Sequence, residues 1–73
     1  MQSHHRKPRS LGGLYSPRNI SRVSAKKHAA YHLLFANSTP QQIAQILNET
    51  WVDPDYEFFV QKKSERKIMM EGI

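Results

Sequence analysis

Apolar positions along this chain fall into short clusters separated by polar and turn-forming residues. Residues 7–17, KPRSLGGLYSP, hold Pro8, Gly12, Gly13 and Pro17, which predicts a loop that reverses the chain. Residues 18–23, RNISRV, alternate roughly between polar and apolar and predict a short strand with Ile20 and Val23 on its buried face. Ser24 then suits the N-cap of a helix running to about Ala36, with Ala29, Ala30, Leu33, Leu34 and Phe35 as its apolar members and Asn37 as terminator. Thr39-Pro40-Gln41-Gln42 is the clearest boundary. A capping threonine precedes a proline whose missing N–H costs nothing in the first turn, and a glutamine follows at the third helical position. The helix that follows, residues 40–51, carries a stripe of Ile43, Ile46, Leu47 and Thr50 that is expected to pack on the first helix.

After the break at Asp53-Pro54-Asp55, an apolar patch of Tyr56, Phe58, Phe59 and Val60 fits either a helical turn or a strand. With Trp51, these aromatics are expected to close the core. Residues 61–70, QKKSERKIMM, have good helix propensity, and the mixed tail around Lys62–Lys67 reads as a solvated helix face.

Length limits what this pattern can build. A chain of 73 residues is one domain at most, and domains this small are marginal on core packing alone. They tend to use a disulfide, a metal or an oligomer as a staple. Cysteine is absent, which excludes disulfides and thiolate zinc knuckles and leaves a histidine-bound metal or a partner chain. No stretch approaches the roughly 20 apolar residues of a membrane span. A basic N-terminus with no apolar run behind it is no secretory signal, so the expected location is the cytoplasm.

Charge is unevenly placed. Arg6, Lys7, Arg9, Arg18, Arg22, Lys26 and Lys27 precede the first acid, Glu49. Such a basic N-terminal part points to an anionic partner, with nucleic acid the leading candidate. All 4 histidines fall in the same part: His4-His5, His28 and His32. On a helix, His28 and His32 leave one face a turn apart, and the His4-His5 pair can bring a third imidazole to them. A neutral imidazole ligates Zn, Ni, Mn or Fe, and three of them leave coordination positions open, as a catalytic metal requires. The fourth ring, with an ordinary pKa of about 6.5, can accept a proton from water at neutral pH.

HHRKPRSLGG followed by RNISRVSAKKHAAYH resembles the His-Asn-His (HNH) endonucleases, the ββα-metal nucleases: a His pair, a basic Pro-Arg-Ser stretch, Gly-Gly, an Asn opening a strand, and a helix with two histidines. The resemblance covers residues 3–36, and the following segment through Trp51 and Asp53-Pro54-Asp55-Tyr56 resembles small phage or bacterial HNH-like proteins. It implies an α+β fold in which two short antiparallel strands and a helix clamp one divalent ion (Zn, Mg, Mn or Ni). Residues 1–36 form that motif, and 37–73 are a helical extension packing on it. It implies that His4, His28 and His32 bind the metal, that His5 is the general base, and that Asn19 holds the His5 ring. The implied activity is hydrolysis of DNA phosphodiesters with low sequence specificity, the seven early cations contacting phosphates.

The chain departs from the family pattern in three ways. Ser3 stands where many members have an acid, very few residues precede the His pair, and the cysteine knuckles of larger members are missing. The last two favour a homodimer or a larger protein partner. The alternative function is a non-catalytic module with the same fold and a structural metal, binding DNA or protein without cutting.

Overall fold

The computed structural model of the chain describes residues 1–64. Two antiparallel strands, β1 (Gln2–His5) and β2 (Ile20–Val23), are followed by two helices, α1 (Ala25–Phe35) and α2 (Pro40–Ile46). The architecture is a small α+β one in a ββα order. In the strand register Gln2 faces Val23, Ser3 faces Arg22, His4 faces Ser21 and His5 faces Ile20. β2 starts at Ile20 and not at Arg18, because Asn19 is occupied in closing the loop.

That loop, residues 6–19, is held by its own backbone and by one side chain. Leu11 and Gly13 N–H both donate to the Pro8 carbonyl (2.9 Å each), around a 3₁₀ turn at Arg9–Leu11. Pro8 is buried beneath it. The Asn19 amide accepts from Lys7 N–H (2.7 Å) and donates to the carbonyls of Lys7 (3.1 Å) and Leu14 (2.9 Å). Arg6 N–H donates to the Asn19 carbonyl (2.8 Å), so one residue fixes both strand ends. Two glycines make the crossing feasible. Gly12 ends the 3₁₀ turn at φ 91°, a left-handed conformation open to glycine. At Gly13 a Cβ would lie 1.8 Å from the Lys7 carbonyl oxygen.

α1 begins where the sequence predicts. Ser24 Oγ accepts from Lys27 N–H (3.2 Å) as N-cap. Its end comes one residue before Asn37: Ala36 turns the chain at φ 49°, donating its N–H to the His32 carbonyl (3.0 Å). The inward face is not the expected apolar one. Leu33 is 87% exposed, and Ala29, Ala30 and Leu34 are exposed as well. Ser24, His28, Tyr31 and Phe35 are half-buried instead, a stripe at helical spacing that faces β1. Apolar residues are spread around α1, so the aromatic and imidazole rings decide which side turns in.

α2 has the complete capping box. Gln42 N–H donates to Thr39 Oγ1 (3.2 Å), and Thr39 N–H donates to Gln42 Oε1 (2.8 Å). The helix continues without a break as a π turn, Leu47–Trp51, and the packing of its stripe on α1 that the sequence predicts is at most slight among the described residues. Ile43, Ile46 and Leu47 are half-buried, Thr50 is exposed, and Ala44 is the buried hydrophobic of the helix. The 58–60 segment lies along α2. Asn48 accepts from Phe58 N–H (2.8 Å) and donates to the Phe58 carbonyl (2.7 Å), mimicking a strand partner. The segment is neither helix nor strand. The expected aromatic core does not form: Trp51, Tyr56, Phe58 and Phe59 are exposed, Phe59 by 80%. Backbone capture by Asn48 holds the segment without burying its rings. The helix expected over 61–70 lies mostly outside the described residues. No helix among them is long and apolar enough to cross a membrane.

Gly13→Ala is expected to destabilise the protein by about 1–3 kcal/mol, the usual range for forcing extra volume into a filled space. Urea unfolding followed by circular dichroism measures this, and an unchanged midpoint would contradict the close crossing at Lys7.

Candidate metal centre

Strand alternation and helical spacing bring three imidazoles together. His4 stands on the face of β1 that meets α1, and His28 and His32 are one turn apart on α1. One nitrogen of each ring lies within 4.8 Å of the other two. His28 Nε2 and His32 Nε2 are 3.0 Å apart. The His4 ring centroid is 5.3 Å from that of His28 and 6.1 Å from that of His32. Tyr31 meets His4 edge to face at 4.6 Å and is followed by Phe35 at 5.3 Å, a ring stack that fixes how α1 lies on β1.

Gln2 sets the chemistry of His28. An amide oxygen only accepts, so His28 Nδ1 donates to Gln2 Oε1 (2.7 Å) and its Nε2 is left with the lone pair. That lone pair points to His32. This is the arrangement in which an outer hydrogen bond fixes the tautomer of a metal-ligating histidine. The His4 pKa is lowered from 6.5, first by desolvation and then by the neighbouring charges of His28, His32, His5 and Arg6. A lowered pKa keeps His4 neutral, the form that ligates. Three imidazole nitrogens suit a borderline transition-metal ion such as Zn, Ni or Mn. Of the four ions expected, Mg fits poorly, because it takes oxygen ligands.

A cleft of about 380 Å³ opens beside the triad. His5, Arg9 and Ser10 line it along with the three histidines. His5 ends β1 at the rim, outside the ligand group. Its ring packs against Tyr15 at 5.8 Å, and the Tyr15 hydroxyl is 3.5 Å from Ser3 Oγ. Asn19 hydrogen-bonds two residues beyond His5, at the Lys7 backbone, and not to the His5 ring. Both amide hydrogens are spent on the Lys7 and Leu14 carbonyls, so Asn19 cannot donate to the His5 ring. It acts on His5 through the backbone, by fixing the loop that leaves β1.

The seven early cations are all exposed but do not share one site. Arg9 borders the metal cleft, whereas Arg6, Lys7 and Arg18 line a separate cleft on the loop. Arg22 donates to the Met1 carbonyl (3.3 Å) from β2. Lys26 and Lys27 occupy the first turn of α1 and do not line the metal cleft, since one and two residues before His28 is the wrong side of a helix. Sequence reasoning missed Gln2, Tyr15 and Tyr31. Gln2 shares a strand face with His4, and Tyr31 is one turn from His28, so spacing could have flagged both. Tyr15 sits in a loop and carries no such signal.

Comparison of the chain with family models, with curated proteins and with solved structures yields no match.

Three outcomes are expected. Because the His4 pKa is lowered on folding, its contribution to stability is complete above 6.5 and is lost as pH falls through the lowered value. Thermal melting of metal-free protein should therefore drop as pH goes below 6.5, and metal affinity should fall in the same window as protons compete for the ligand. Gln2→Ala should weaken Zn binding about 10–100-fold by calorimetry, the usual cost of removing an outer hydrogen-bond partner.

Proposed function

We propose that this protein is a metal-dependent endonuclease of the HNH type, hydrolysing phosphodiester bonds of DNA. The observation that carries the reading is the His4–His28–His32 triad, with His28 held by Gln2 and a further histidine on the rim of the same cleft. The joint spacing of the His pair, Asn19 and the helical pair supports it independently.

His4, His28 and His32 would hold one divalent ion. When bound, such an ion supplies Lewis-acid stabilisation to a phosphate and its leaving oxygen. The chain's own residues do the rest. His5 takes a proton from a water molecule at the rim, and the resulting hydroxide attacks phosphorus. The P–O3′ bond breaks, the phosphate stays on the 5′ end, and the 3′ oxygen leaves as a hydroxyl after taking a proton from solvent water. Tyr15 packs against the His5 ring and limits its rotation. Arg9, in the same cleft, pairs with a phosphate oxygen. Asn19 holds the loop that carries Arg9.

Loss of the base with the ligands intact separates catalysis from metal binding. His5→Ala should bind Zn or Mn as the parent does but nick plasmid DNA about 10²–10⁴-fold more slowly. Unchanged nicking by that variant removes His5 from the mechanism. A parent protein that binds metal yet never nicks DNA with Zn, Ni or Mn would leave the non-catalytic module in its place.

A further inference from the structure

A second cleft, of about 720 Å³, lies between the loop 6–19 and residues 62–64. It shares no lining residue with the metal cleft. Its wall carries Arg6, Lys7 and Arg18 from the loop and Lys62 and Lys63 from the far segment. Among the described residues none of these five cations forms an ion pair and no acid lines the cleft. The last two come from the stretch that the sequence presents as a solvated helix face.

The loop side of this cleft is built. Asn19 captures both backbone groups of Lys7 and takes the Arg6 N–H on its own carbonyl. Gly13 is pressed onto the Lys7 backbone, and the Lys7 ammonium lies over Gly12, 3.9 Å from where a Cβ would stand. Gly12 and Gly13 place no side chain in the cleft, and among its described lining residues the charged ones are all cations, beside Leu14, Ser16, Asn19 and Ser64. Like charges gathered around one cavity repel, and an anion between them removes that repulsion. Lysine and arginine together suit phosphate: arginine as a two-pronged donor, lysine as a point charge.

We infer that the cleft between the 6–19 loop and Lys62–Lys63 is a metal-independent phosphate site that holds the backbone of a nucleic-acid strand away from the histidine triad. The phosphate chemistry follows from the cleft itself. That the phosphates belong to nucleic acid rests on the nuclease reading. A strand seated there is held at two places on the protein, which fixes its orientation without reading its bases.

The test uses the full chain in EDTA, so that neither metal nor cleavage enters. Binding of a fluorescent duplex of about 20 base pairs is followed by anisotropy across salt concentrations near 0.1 M, where each phosphate contact contributes about 0.9 to the log–log slope. Lys62→Gln/Lys63→Gln should weaken binding roughly tenfold and make the slope shallower by about 1.8. Lys62→Arg/Lys63→Arg should restore both, which distinguishes lost charge from a misfolded variant. Inorganic pyrophosphate should displace the duplex from the parent protein and the arginine variant. Unchanged affinity and slope in the glutamine variant overturn the site, as does duplex binding that vanishes in EDTA. Pyrophosphate bound through Lys62 and Lys63, with duplex affinity unmoved, overturns the nucleic-acid assignment. Absence of nicking with these binding results intact defeats the nuclease reading and leaves the cleft standing.

Discussion

The register of a four-residue strand pair governs this molecule. His4 faces Ser21 across the pair and His5 faces Ile20. Neighbours on a strand point to opposite sides, so a slip of one residue would exchange them. His5 would then meet α1 and His4 would stand at the rim. Two four-residue strands contribute too few ladder bonds to secure that choice. Asn19 secures it from the loop. Its carbonyl takes the Arg6 N–H one residue beyond β1, and its amide closes on Lys7 and Leu14. The asparagine therefore selects which histidine joins His28 and His32 while touching neither ring.

Polar capture stands in for a hydrophobic core through much of the chain. Ala44 is the buried hydrophobic side chain among the described residues apart from Pro8, and large apolar groups such as Leu33 and Phe59 face outward. Asn19 and Asn48 do similar jobs at the two ends of the molecule. Each presents one amide to both backbone groups of a distant residue, Lys7 in one case and Phe58 in the other. Such pairs supply direction and modest stability, since a net hydrogen bond contributes about 1 kcal/mol. A cation bridging β1 and α1 would add what packing does not, because its binding free energy is also folding free energy.

The two clefts divide the labour of the proposed function between neutral and charged nitrogens. In one, desolvation and neighbouring charge hold His4 neutral, with its lone pair free for a metal. In the other, Arg6, Lys7 and Arg18 face Lys62 and Lys63, with no acid among the described lining residues. The 6–19 loop borders both, with Arg9 and Ser10 toward the histidine triad and Lys7 and Arg18 toward the basic cleft. One rigid loop thereby couples the position of the histidine at its start to the position of the cations along it.

Local chemistry made much of this legible before any fold was known. Ser24, and Thr39 with Pro40 and Gln42, start their helices because capping needs only neighbours three residues apart. Gly12, Gly13 and Pro8 declared the loop for the same reason, and the four-residue spacing of His28 and His32 was enough to put both on one helix face. Other features needed the assembled structure. Asn19 was expected on the His5 ring and is found on the loop backbone, because its partners Lys7 and Leu14 approach only once the chain has turned. The aromatics of 51–60 were expected inside and lie outside, since burial depends on what else is present to cover them. α1 turned its rings inward and its leucines outward because β1 offered it histidine and glutamine to meet. Sequence alone determined the local elements and the supply of imidazoles and cations. Tertiary structure decided which imidazole joined the helical pair and which cations face one another, because those contacts join residues far apart in the chain, and short-range spacing carries no information about them.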